Sequence, residues 1–326
     1  MLSMPRIVRP DPDRLGGQKL VSPLDRQLAG PLSETKNWRK LLAGEFSRQI
    51  DHIAIFTGSV SEGEGQDCFS VTRFLVSSII QPNTAMPIRI AMWSGPRNIS
   101  TAMMRAWSNR PDTFVVDEPF YAFYLNETHA NHPGAEEVIQ DGETDWRRIV
   151  ARLTGPVPSA ARIFYQKQMT HHLLPQVDRD WLGRVMNCFL IRDPAEVIAS
   201  YLKKNHEPSV EDLGFVQQTE IFGFVQRRTG SVPIVIDAED VLRDPQRMLR
   251  LLCDALGLEF SDAMLSWPSG RRETDGVWAK HWYAEVESST SFQPYRERRI
   301  KLPEHLRGVY ERCREVYEQL YAYRLR

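Results

Sequence analysis

From about residue 88 the sequence predicts an α/β protein, a three-layer arrangement with a parallel sheet covered by helices on both faces. Two observations carry this. Short apolar runs alternate with stretches of helical period. The runs are apolar throughout instead of alternating with polar residues, the pattern of strands buried on both sides. In order, the predicted strands are IRIAMW, TFVVD, RIFYQ, RVMNCFLI and PIVI. The predicted helices run from Ile99 to Asn109, Thr144 to Leu153, Pro194 to Lys204, Val210 to Arg227 and Pro245 to Leu256, with a long one after Pro303. Proline suits the first helical turn, which places starts at Pro194 and Pro245. Asp244 is expected to cap the latter helix and Gly257 to end it, with Met248, Leu251, Leu252 and Leu256 as its apolar stripe. No internal repeat is found.

Residues 1–86 read differently. Pro10, Pro12, Gly16, Gly17, Pro23, Gly30 and Pro31 break them, no periodicity persists, and a loosely ordered extension ahead of an 87–326 domain is expected. Met86 is a candidate start, which mass spectrometry of the native N-terminus would test. With 326 residues and a net charge of −1, the chain is ordinary for a globular protein, and non-specific nucleic-acid binding is disfavoured. Cys68, Cys188, Cys253 and Cys313 form no CxxC pair, so reduced thiols in a cytoplasmic protein are expected. No apolar run approaches the roughly 20 residues that span a bilayer. A homodimer is left open by the Arg-, Glu- and Tyr-rich face of the last helix.

The richest stretch is MWSGPRNISTAMMRAW, residues 92–107. A strand ends near Trp93, Gly95 permits a sharp turn, and a helix opens about five residues later. Backbone N–H groups from Arg97 to Thr101 would converge there, with the positive end of the helix, the Arg97 charge and the Ser100 and Thr101 hydroxyls. This suits an anion of phosphate type. The plainer alternative is a strand-turn-helix capped by Asn98 or Ser100. The stretch lacks the second glycine and the lysine of a Walker loop.

Arg97-Asn98-Ile99-Ser100-Thr101 fits [KR]-x-x-[ST]-T and resembles the 5′-phosphosulfate loop of sulfotransferases that use 3′-phosphoadenosine 5′-phosphosulfate (PAPS). In that family glycine usually stands at the Ile99 position and lysine often at that of Arg97. CFLIRDPAEVIASYLKK resembles the family's 3′-phosphate motif, with Arg192 leaving a strand and Ser200 two turns along the next helix. VIDAEDVLRDPQRMLRLLCDALGLEF resembles a structural strand-helix unit of the family. GRRETDGVWAKHWYAEV resembles its C-terminal basic loop, which would bring Arg271 and Arg272 over the 3′-phosphate. The resemblance covers roughly residues 88–290. It implies a P-loop NTPase-like fold, PAPS as co-substrate, no metal, and donor contacts from Gly95, Arg97, Asn98, Ile99, Ser100, Thr101, Arg192, Ser200, Arg271 and Arg272.

Sulfuryl transfer needs a base for the acceptor and cations on the leaving phosphate. Arg97 takes the second role by resemblance. For the base there are two candidates. VVDEPFYAFYL places Asp117 and Glu118 at the end of the second strand, expected beside the first, and some members of the family use a glutamate in that region. IFYQKQMTHHLLP resembles the family's K-T-H-L-P stretch, in which the histidine is the base: either Thr170-His171 matches T-H, which makes His171 the candidate, or His172-Leu173 matches H-L. On an extended strand Lys167, Met169 and His171 would share one face, so Lys167 could assist. His129 and His132 fit a polar loop better than an acceptor pocket. The aromatics of EPFYAFYL fit the core better than an acceptor wall. The function this implies is transfer of a sulfuryl group to a hydroxyl or amine of a small molecule. The alternatives are a nucleotide-dependent phosphotransferase or hydrolase, with Asp193 as its metal ligand, or a non-catalytic nucleotide binder.

Overall fold

The computed structural model describes residues 86–158, 161–203 and 207–326. Apart from Met86, the N-terminal extension expected from the sequence lies outside the described residues, as do Cys68, Lys204 and His206.

The strands are β1 (Ile88–Ser94), β2 (Thr113–Asp117), β3 (Ile163–Met169), β4 (Met186–Ile191) and β5 (Ile234–Asp237). Between β1 and β3 lie helices α1 (Ser100–Ser108), α2 (Tyr121–Thr128), α3 (Ala135–Asp141) and α4 (Trp146–Thr154). Between β4 and β5 lie α5 (Pro194–Leu202), α6 (Val210–Leu213) and α7 (Phe215–Thr229). Helices α8 (Ala238–Arg243), α9 (Pro245–Ala255), α10 (Ala279–Trp282), α11 (Ala284–Glu287) and α12 (Arg307–Tyr321) follow. All strand pairs are parallel, in the order β2-β3-β1-β4-β5.

The alternation of side chains across a strand builds two cores. Ala91 and Trp93 face one, with residues of α4, α5, α7 and α12; Ile90 and Met92 face the other, with α1, α8 and α9. This is the three-layer arrangement expected from the sequence. Trp93 and Met92 are both fully buried, as a strand with two covered faces requires.

Several expectations need correction. β2 pairs with β3, not with β1, so β3 separates Asp117 from the first strand. The predicted helix from Val210 to Arg227 is interrupted at Gly214, whose φ of 71° ends α6 and starts α7. A Cβ there would lie 2.5 Å from Thr170 Oγ1, so only glycine lets the α6–α7 junction approach the end of β3. Asp244 caps α9 as expected, its side chain accepting from Arg247 N; of the expected stripe Met248, Leu252 and Leu256 are buried and Leu251 is half-buried against the same core, which Leu249 and Cys253 also join. Asp193 caps α5 by accepting from Ala195 N at 2.8 Å. α12 packs on the domain through Cys313, Val316, Tyr317 and Leu320, leaving Arg307–Glu311 and Arg314–Glu318 pairs outside. Among the described residues no helix is long and apolar enough to cross a membrane.

Candidate active site

The carboxyl ends of the strands open onto a cavity of about 930 Å³. In open parallel sheets this edge is where ligands bind. One wall is built by β1 and β4. The loop from Gly95 to Ile99 leads into α1, whose N-terminus has no side-chain cap, so its first-turn N–H groups remain available. The expected cap by Asn98 or Ser100 is absent. Asn98 instead braces the loop: its Oδ1 accepts from Ile99 N at 2.8 Å and its Nδ2 donates to Leu190 O of β4 at 3.0 Å.

The residue that turns the backbone is Arg97, with φ 55°, while Gly95 serves a close approach. A Cβ at Gly95 would sit 2.5 Å from Leu213 O. Ile99, at φ −86°, needs no glycine. Arg97 Nε donates to Ser200 Oγ at 3.1 Å, and Arg192 Nη1 donates to Arg97 O at 2.7 Å. Arg192 Nε is held by Glu196 at 2.9 Å, and Glu196 in turn accepts from Tyr295 at 3.0 Å. Two motifs about 100 residues apart thus meet in one hydrogen-bonded group. Ser100, Thr101, Arg97, Asn98, Ile99, Arg192 and Ser200 all line the cavity.

Arg271 and Arg272 do not line it. Their segment is drawn elsewhere: Asp275 Oδ2 accepts from Arg272 N at 2.8 Å, Arg272 Nη2 donates to Pro268 O at 2.7 Å, and Asp275 is clamped by buried Arg105 of α1. The basic loop over the cavity comes from further along the chain. It carries Arg296, Arg298, Arg299 and Lys301. The signal was present in YRERRIK, a dense charge run without helical period.

The other wall is built by β2 and β3. Ile163, Tyr165 and Lys167 share one face of β3, and Lys167 pairs in register with Asp117. Lys167 Nζ donates to Asp117 Oδ1 at 2.9 Å, to Glu118 Oε1, and to Tyr283 OH at 2.8 Å. Tyr283 OH donates to Asp117 Oδ2 at 2.7 Å. Glu118 holds a left-handed backbone, φ 39°, pinned where its N–H donates to Lys167 O at 3.0 Å. A non-glycine residue in that region stores strain that the surroundings must offset.

Two carboxylates thus share one ammonium. Burial, and then the Asp117 charge, raise the Glu118 carboxyl above its usual range against the opposing pull of Lys167. Burial disfavours the charged form of Lys167, yet Asp117 and Glu118 outweigh it and hold the ammonium well above its ordinary range.

β3 stops at Met169, so His171 stands on a single 3₁₀ turn, Thr170–His172, and not on the strand face with Lys167. It still lines the cavity, beside His172. Burial and the neighbouring His132 push His171 down to about 3, and burial with His171 and His132 pushes His172 well below the ordinary imidazole range. α2 divides its aromatics: Phe120 and Phe123 enter the core, whereas Tyr121 and Tyr124 line the cavity. His132 joins them, its Nδ1 2.9 Å from Tyr121 OH, while His129 is exposed. His132, Tyr121 and Tyr124, which read from the sequence as polar loop and core, line the cavity instead, together with His172. Tyr283 was not singled out by the sequence; for Tyr121 and Tyr124 the spacing of i and i+3 on α2 was the available signal.

The family model described as "Sulfotransferase domain" matches residues 88–304. The chain is 36% identical over 208 residues to "Branched-chain-amino-acid aminotransferase-like protein 1" of Arabidopsis thaliana, covering 64% of this chain and 37% of that protein. It is 31% identical over 232 residues to "Branched-chain-amino-acid aminotransferase-like protein 2" of the same plant, covering 71% of this chain and 41% of that protein. The chain thus spans about two-fifths of the length of these curated relatives. A solved "Sulfotransferase Domain from the Synechococcus PCC 7002 Olefin Synthase" superposes with a TM-score of 0.47 at 19% identity, covering 76% of this chain and 99% of that one. With its parallel sheet and a family match over more than half its length, the chain belongs to the sulfotransferase-domain family.

Proposed function

We propose that this chain transfers a sulfuryl group from PAPS to a hydroxyl or amine of a small molecule in the cytoplasm. The observation that carries the reading is the meeting of Arg97, Arg192 and Ser200 on one wall of a cavity whose opposite wall holds Glu118 and Lys167. The donor-side residues fit a ligand with two anionic ends. The uncapped α1 N-terminus, Ser100, Thr101 and Arg97 suit the 5′-phosphosulfate; Arg192, Ser200 and the cations of residues 296–301 suit the 3′-phosphate. When bound, the donor supplies a sulfuryl group: a bond forms from sulfur to the acceptor atom, the bond from sulfur to the phosphate oxygen breaks, and that electron pair leaves with the bisphosphate.

The chain's own residues do the rest. Glu118 takes the acceptor proton at Oε2, the oxygen that Lys167 does not hold. Its raised pKa makes it a stronger proton acceptor than His171, whose imidazole burial pushes down to about 3 and so leaves a weak base. Arg97 faces charge growing on the leaving phosphate. The buried free thiols of Cys188, Cys253 and Cys313 are consistent with a reducing compartment.

Two other chemistries find less support. The ATP reading required Asp193 as a metal ligand, and that carboxylate caps α5. The aminotransferase name belongs to the plant proteins. Among the described residues the fully buried lysine is Lys167, and two carboxylates hold it as an ammonium instead of the free amine that Schiff-base chemistry uses.

Thermal shift tests the donor reading. Adenosine 3′,5′-bisphosphate at about 100 times its Kd should stabilise the chain by about 2.7 kcal/mol, with a smaller effect from ATP plus Mg²⁺ or from phosphate. Arg192→Ala should lose much of that shift while responding normally to the 3′-dephospho analogue. Stabilisation by ATP with Mg²⁺ alone would overturn the reading.

A further inference from the structure

We infer that His172 and Glu118 together form a two-point clamp for one acceptor oxygen, which selects a hydroxyl over an amine. The inference rests on the sulfuryl-transfer reading above and narrows it to O-sulfation. His172 is 2% exposed, lines the cavity, and its Nδ1 is buried without a hydrogen-bond partner. A buried polar atom left unmatched inside a ligand cavity costs stability unless something bound there satisfies it. Nδ1 lies 3.9 Å from Glu118 Oε2, too far for a direct hydrogen bond. One oxygen placed about 2.8 Å from both atoms closes the gap with an angle of about 90° at that oxygen.

The ring cannot swing to find another partner. It is stacked on Tyr121, with centroids 4.7 Å apart and planes 4° from parallel, and on Tyr124, at 4.7 Å and 28°. His171 closes its edge at 4.3 Å. The Glu118 carboxylate opposite Nδ1 sets the tautomer. A bare nitrogen lone pair facing an anionic oxygen is repelled, whereas an N–H pointing toward it is attracted, so the proton resides on Nδ1.

That assignment decides the acceptor. A hydroxyl has one O–H and two lone pairs. It gives its proton to Glu118, accepts from the His172 Nδ1–H with one pair, and keeps the second pair for sulfur. The new O–S bond forms, the S–O bond to the phosphate breaks, and the acceptor proton ends on Glu118. A neutral amine has a single lone pair, which His172 would occupy, and an ammonium has none. His172 is therefore an acceptor-positioning residue with Glu118 as the base.

The test uses the full chain, phenol and aniline as matched probes, and ¹⁵N-histidine NMR. His172 should carry its proton on Nδ1, both alone and with adenosine 3′,5′-bisphosphate bound; an Nε2–H tautomer overturns the inference. Phenol should be sulfated at least about 100-fold faster than aniline, since a site built for a hydroxyl rejects a group that leaves its donor unmatched. Aniline turned over as fast as phenol overturns it. His172→Phe keeps a stacking ring and removes the donor. It should collapse the phenol preference by slowing phenol alone; equal slowing of both probes overturns the inference. If neither probe is sulfated, the tautomer decides. Loss of bisphosphate binding by wild type would sink the donor reading itself, whereas bisphosphate binding with the wrong tautomer sinks only the clamp.

Discussion

Glu118 concentrates the chemistry of the site in one side chain. Its backbone is strained, one oxygen is held by Lys167, and the side chain lines the cavity. On the proposed reading, Glu118→Gln keeps the shape and removes the base. Bisphosphate binding should persist while kcat falls by about 100-fold or more, as steady-state kinetics with a fixed acceptor would show. The sign of the pH effect follows from the raised pKa. Glu118 must be ionised to accept a proton, so kcat/KM in wild type falls as pH drops through that raised value, and this acidic limb should vanish in the variant. The sequence marked Glu118 and Lys167 because both sit at strand ends. It did not show that they bond to each other, since the contact needs β2 and β3 side by side in register.

Glycines with the same backbone angle separate strain from crowding. Gly214 and Gly230 have φ values of 71° and 70°, but a Cβ meets Thr170 Oγ1 at 2.5 Å in the first and nothing within 4 Å in the second. Gly230→Ala should cost about 1–2 kcal/mol from the backbone alone. Gly214→Ala should cost more, about 3 kcal/mol, and should also weaken bisphosphate binding, because the adjoining Leu213 carbonyl rests against Gly95. Urea melts and a binding titration on both variants would check this. All five strands were legible from their apolar runs, and Pro194 and Pro245 fixed two helix starts to the residue. The break at Gly214 was not, because a lone glycine within a helical period reads as tolerated. Helices α2 and α3 also escaped, being short and bounded by left-handed residues, His129 and Gly134, with no capping side chain to announce them.

Long-range contacts hold the molecule together where sequence is least informative. Arg105 of α1 grips Asp275 at 2.5 and 2.6 Å across 170 residues, with side chains 1% and 0% exposed. Asp275→Ala should cost about 3–5 kcal/mol by stranding a buried guanidinium, and an Arg105→Met, Asp275→Leu double change should recover much of that loss. Calorimetry of the three forms would check it. This ion pair also explains why Arg271 and Arg272, read as donor-binding from their motif, do not line the cavity, whereas Arg296, Arg298, Arg299 and Lys301 do. The strand order was hidden for a related reason. Chain order runs from β1 to β2, and nothing local announces that β3 will insert between them. That insertion has a consequence. Arg97 and Arg192 are borne by the β1–β4 half, whereas Glu118, Lys167 and the tyrosine–histidine wall are borne by the β2–β3 half. On the proposed reading, grip on the donor and taste for the acceptor are thereby separable modules, and transplanting the stretch from Tyr121 to Gly134 should re-aim acceptor choice and leave bisphosphate binding as it was.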